Sequence, residues 1–270
     1  MAEVSIYTDS GKRGRLFVLA SLLAISLFFV RNAFDIDLRS ISHLAGLTAS
    51  YFVAVYILLL WAFRFQFTRS SLLVVIPQSA LFVSLQMVFL LLFFFADLQR
   101  VYQFVIIFIL SSFVFVTTYI SFLMSNIFNV STFKPLPLIE VARTTSYILT
   151  LLTTYFVTFS IVYSLENFLT ICIVLFGLYF IIVLLHLTHL GGAIPKTTQY
   201  ASIIAFVMTL SAVSLFLCGV RIELLGIVPT AVSFGLIGIE MASIKNSVRT
   251  MLLLQYSAIF IASIIFCLSL

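Results

Sequence analysis

Glu140 and Arg143 stand three residues apart at the head of a long apolar run, in the stretch "STFKPLPLIEVARTTSYIL". On a helix that spacing sets a carboxylate and a guanidinium one turn apart, close enough to pair. The guanidinium could instead receive an external phosphate or carboxylate, whose geometry matches its planar fork. His186 and His189, in "HLTHLGGAIPK", form an H-x-x-H pair that suits two zinc ligands. A zinc site needs three or four, so the pair alone does not make one. Gln86 falls in the middle of an uncharged run, where an unbonded amide is expensive and must face another helix. Glu240, in "GLIGIEMASI", is a carboxylate inside an apolar segment and a candidate for coupling to protons or cations. Lys245 and Arg249 follow closely enough to neutralise it instead.

Hydroxyls add two stripes. Ser111, Thr118, Ser121 and Ser125 recur at helical spacing in one apolar run. Ser146, Thr150 and Thr153 do so in the next, with Thr154 and Thr158 beside them. If these neighbouring helices run antiparallel, the stripes are expected to face each other. They would then serve as packing glue or line a polar path with Arg143 at its mouth. A third pattern, Ala231, Gly235, Gly238 and Ala242, is a small-residue seam that invites a closely packed membrane partner.

The elements that carry these residues follow from composition. The chain is 63% hydrophobic and 9% charged, with a mean hydropathy of +1.26. Soluble domains average about 45–50% apolar and about 25% charged residues. No soluble fold could cover this much apolar surface, so lipid is the solvent. Runs such as "ICIVLFGLYFIIVLL" do not alternate as barrel strands do, and read as helices. The sequence therefore predicts an all-α, polytopic transmembrane bundle. Its nine expected spans lie near 15–33, 42–63, 71–95, 101–128, 137–163, 167–188, 199–219, 223–244 and 250–269. Residues 1–14 read as a cytoplasmic tail, and 15–270 as one multi-pass domain. No small-x-small cleavage site follows the first run, which is expected to be retained.

Basic residues set the expected orientation. With the N-terminus cytoplasmic, only Arg31, Arg39, Arg100 and Arg221 of the 14 lysines and arginines fall outside. Nine spans then leave the C-terminus outside. The formal charge of +5 reads as attraction to anionic lipid headgroups on the cytoplasmic side, not to nucleic acid. Short loops and the lack of organelle signals suggest a prokaryotic plasma membrane. His43 falls on the face opposite His186 and His189, and cannot join them. Cys172, Cys218 and Cys267 all lie toward the outer leaflet, so a disulfide stays open.

No phosphate-binding loop, nucleophile elbow, H-E-x-x-H pair or paired-cysteine motif occurs. Neither cofactor nor metal is expected. Three function classes survive in order: a non-enzymatic scaffold or accessory component, a small transporter or channel with a path between the fourth and fifth spans, and an intramembrane enzyme on a lipid-linked substrate. The transporter reading requires Glu140, Arg143, Gln86 and Glu240 to converge on a wet cavity. The component reading requires them to be paired locally.

Overall fold

A computed structural model describes residues 10–33, 41–93, 100–131, 138–188, 194–244 and 250–269. Among the described residues there is no strand, and nine rods follow in order. They are α1 (Ser10–Ala33), α2 (Ile41–Ala62), α3 (Ile76–Phe93), α4 (Arg100–Ser131), α5 (Ile139–Ser164), α6 (Phe168–Thr188), α7 (Ile194–Leu217), α8 (Ile227–Ile244) and α9 (Thr250–Ser269). A π-helical turn, Ser71–Val75, leads into α3, and a one-turn helix, Ile222–Leu225, leads into α8. Eight of the rods, α2 to α9, are long and apolar enough to cross a membrane. The chain is thus an all-α, polytopic integral membrane protein.

Most boundaries fall within two residues of the sequence expectation. The larger differences have local causes. α1 begins at Ser10 rather than at 15, because Lys12, Arg13 and Arg15 are straight-chain helix formers. α7 begins at Ile194 rather than at 199, since Pro195 in a first turn loses no hydrogen bond. Pro77 cannot return an N–H to the carbonyl four residues back. The chain adjusts just before it with the π turn, where the Ile76 N–H donates to the Ser71 carbonyl.

The described residues fall into two compact units. The first comprises residues 1–36 and 48–145; the second comprises 37–47 and 146–270. In the first unit α4 packs on α1 and on α3, which is the most enclosed rod, with 72% of its span buried. Phe17 meets Phe115 and Tyr119 edge-on at 5.2 and 6.0 Å. α2 stops where Arg64 and Phe65 take left-handed φ values of 56° and 57°. The Phe65 N–H then caps the Leu60 carbonyl at 3.0 Å.

In the second unit α6 packs along α7, α7 on α8, and α8 on α9. Asn167 starts α6 by accepting from the N–H groups of Leu169 and Thr170 at 3.0 and 3.3 Å. Gly219, with φ of 74°, ends α7. Its N–H and that of Val220 return to the carbonyls of Phe216 and Leu215, a closure that favours glycine. α9 is the least enclosed rod, with 6% of its span buried. All three cysteines, Cys172, Cys218 and Cys267, are free thiols, so the disulfide left open by the sequence does not form.

Candidate functional site

Along α5 every buried threonine bonds its own helix one turn back. Thr150 donates to the Ser146 carbonyl at 2.8 Å, Thr153 to Leu149 at 2.6 Å, Thr154 to Thr150 at 3.0 Å, and Thr158 to Thr154 at 2.7 Å. At two levels the ladder reaches α6. Ser146 Oγ lies 3.0 Å from His186 Nδ1, and Thr158 Oγ1 lies 2.6 Å from the Tyr179 hydroxyl. All four side chains are buried, with Ser146 0% and His186 1% exposed.

An aromatic line continues from the lower level. Tyr147 has its ring 5.8 Å from His186, stacks on Phe234 at 5.8 Å, and donates its hydroxyl to the Phe234 carbonyl. Tyr256 of α9 meets Phe234 edge-on at 5.1 Å. The line therefore joins α5 and α6 to α8 and α9. Glu240 is half-buried on α8. His189, Lys245 and Arg249 lie outside the described residues.

A serine oxygen 3.0 Å from an imidazole nitrogen has the spacing of a nucleophile and its base. Here neither partner has a face open to a substrate. Through Nδ1 the pair makes a buried contact of the kind that locks helices together. Among the described residues no three His, Cys, Asp or Glu side chains gather where they could hold a metal ion.

The first unit has its own polar seam, between α3 and α4. Ser79 Oγ lies 2.6 Å from Ser125 Oγ, accepts from Ser121 Oγ at 2.8 Å, and reaches the Ser121 carbonyl at 3.2 Å. Higher up, Gln86 Nε2 donates to Thr117 Oγ1 at 2.6 Å. Asn129 donates to the Gln66 carbonyl at 2.8 Å, tying α4 to the α2–α3 connection. Gln86 thus faces another helix, as its depth requires. Within the first unit Ser121 and Ser125 of the α4 stripe bond α3, and within the second Ser146 and Thr158 of the α5 stripe bond α6.

Glu140 and Arg143 pair at 2.7 Å with side chains 56% and 28% exposed, so the local reading of their spacing holds. Exposed pairs of this kind contribute about 0–1 kcal/mol. Sequence reasoning missed Ser79, Tyr147, Tyr179 and Tyr256. Tyr179 left a signal, since a phenol in the middle of "ICIVLFGLYFIIVLL" must find a partner. Ser79 left none, because a single serine in an apolar run does not declare what it will meet.

Gln86 offers a test of sign. Its amide N–H is bonded, but its buried Oε1 has no hydrogen-bond partner among the described residues. Interhelical hydrogen bonds in bilayers average about 0.6 kcal/mol. Burying an unsatisfied acceptor costs about 1–3 kcal/mol. Gln86→Leu should therefore leave the melting temperature in detergent unchanged or raise it. A marked fall would mean that the amide does more than join two helices.

Comparison of the chain with known protein families, with curated proteins and with solved structures finds no match.

Proposed function

We propose that this chain is a non-enzymatic membrane component, a scaffold or accessory subunit that organises lipid or a partner within a prokaryotic plasma membrane. In this reading the N-terminus faces the cytoplasm and the C-terminus faces outward. The observation that carries it is the local pairing of polar groups, an exposed pair at the head of α5 and buried ones within the helices. Glu140 bonds Arg143, Gln86 bonds Thr117, Ser79 bonds Ser121 and Ser125, and Ser146 bonds His186. Two clefts among the described residues also support it. One is lined mainly by Ile107, Phe108, Phe115 and small residues of α1 and α4. The other, of about 190 Å³, lies along Ala231, Gly235 and Tyr256 on the seam proposed as a partner surface. Both are predominantly apolar.

A second reading rests on His186. An ionisable side chain only 1% exposed within a spanning helix is a common mark of an ion or proton path. In that reading the hydroxyls of α5 line the route. Cysteine accessibility separates the two. With Cys172, Cys218 and Cys267 replaced by alanine, cysteines placed singly at positions 146, 150 and 153 should resist a membrane-impermeant maleimide from the cytoplasmic side. Labelling at all three would replace the component reading with the path.

A further inference from the structure

We propose that the groove between α1 and α4 holds an acyl chain of an anionic phospholipid whose headgroup rests on Lys12, Arg13 and Arg15. This deepens the component reading above by naming the lipid it would engage. The groove has a volume of about 570 Å³ and is lined by Ser21, Ala24 and Ile25 of α1 with Ile107, Phe108 and Phe115 among the residues of α4. That volume falls within the usual range for ligand sites, about 300–1,000 Å³. Two of its three hydroxyls bond their own helices: Ser21 donates to the Phe17 carbonyl at 3.0 Å, and Ser112 to Phe108 at 2.9 Å. With those protons committed to the backbone, the walls suit a hydrocarbon chain better than a polar ligand.

Helical geometry connects the groove to the cations. Arg13, Phe17, Ser21 and Ala24 follow at intervals of four, four and three, which puts them on one face of α1. From Arg13 to Ala24 the rise is about 16 Å at about 1.5 Å per residue, roughly half the hydrocarbon core of a bilayer. A lipid with its phosphate at Arg13 would send its chain past the exposed edge of Phe17 into the groove.

Charge decides between lipid and a neutral occupant. Lys12 donates to the Gln66 side chain at 3.1 Å; Arg15 donates to the Trp61 carbonyl at 3.3 Å and lies 4.8 Å over its ring. These contacts orient the two cations without neutralising them. Arg13 is exposed. Among the described residues from Ser10 to Ser131 there is no Asp or Glu; Glu3 and Asp9 precede them outside the described residues. The headgroup phosphate would add countercharge to this basic cluster, as anionic lipids do for basic segments at the cytoplasmic leaflet.

The test uses the purified full chain in mild detergent, titrated with dioleoyl phosphatidylglycerol or dioleoyl phosphatidylcholine. Bound lipid is counted by native mass spectrometry, and melting temperature is followed in parallel. Phosphatidylglycerol should be retained at a roughly tenfold lower concentration or better. The combined change Lys12→Gln, Arg13→Gln and Arg15→Gln should bring the two lipids to within about twofold. Filling the groove with Ala24→Phe, or with Ser112→Leu at an exposed position of α4, should weaken retention while leaving the cations intact. Inorganic phosphate or glycerol phosphate should not reproduce the thermal shift. Equal retention of both lipids would overturn the proposal, as would a shift with free phosphate alone. So would groove-filling variants that retain lipid normally, or that dissociate an oligomer without changing bound lipid; the latter would assign the groove to a helix of another chain. The maleimide result is independent of all these outcomes, so either reading can fail without the other.

Discussion

Gly226→Ala is expected to lower the melting temperature in detergent by roughly 5–15 °C, at about 2–4 °C per kcal/mol for a chain of this size. A Cβ at this position would lie 2.6 Å from Tyr155 Cδ2, 3.0 Å from Cε2 and 3.3 Å from Cγ. These atoms form the body of the ring, and the ring is pinned: its hydroxyl donates to the Glu223 carbonyl at 2.8 Å. The glycine is pinned as well. Its carbonyl accepts from the Thr230 N–H at 3.2 Å and the Thr230 hydroxyl at 2.7 Å. Overpacking of this kind costs about 1–3 kcal/mol. Losing the tyrosine's hydrogen bond adds about 1 kcal/mol. The double variant Gly226→Ala, Tyr155→Ala should be no less stable than Tyr155→Ala alone, because the clash is gone. A Gly226→Ala protein that melts within a degree of the parent would show that Tyr155 does not lie against this turn.

The second large effect is expected at Gly238, with Gly235 as its internal control. A Cβ on Gly238 would overlap the Tyr256 hydroxyl and lie 2.6 Å from Cζ. One on Gly235 would make an ordinary contact of 3.4 Å with Tyr256 Cβ. Replacing a helical glycine by alanine otherwise gains about 1 kcal/mol of propensity. Gly235→Ala should therefore be neutral or stabilising. Gly238→Ala should destabilise by about 1–3 kcal/mol and should lower hydrogen-exchange protection in α9, which docks on α8. Adding Tyr256→Phe should recover part of the loss, since it removes the overlapping oxygen and leaves the ring. Equal behaviour of the two glycine variants would remove Tyr256 from the seam. The seam predicted to invite a neighbour thus takes Tyr256 of its own chain along part of its length. Its open remainder is the cleft by Ala231 and Gly235.

How much of this could be read in advance differs from residue to residue. Glu140 and Arg143 were legible because their partnership is local: three residues on a helix set the distance before any tertiary contact forms. Gln86 was legible in part. Its depth required a helix partner but did not name Thr117. Ser146 and His186 are 40 residues apart, and nothing in either run pointed to the other.

From composition and run length alone came the solvent, the helical character and most boundaries of the rods. Hydrocarbon cannot bond a backbone amide, so an apolar run of about 20 residues has one way to satisfy itself, and its length shows where it ends. Only the tertiary structure decided which rods pair and which hydroxyl meets which. In water the buried face of a helix is apolar and the other polar, so periodicity reveals orientation. In lipid both faces are apolar. The choice passes to shape: the room beside Gly226 and Gly238, the ring that fills it, and the serine at 79 that lets α3 approach α4.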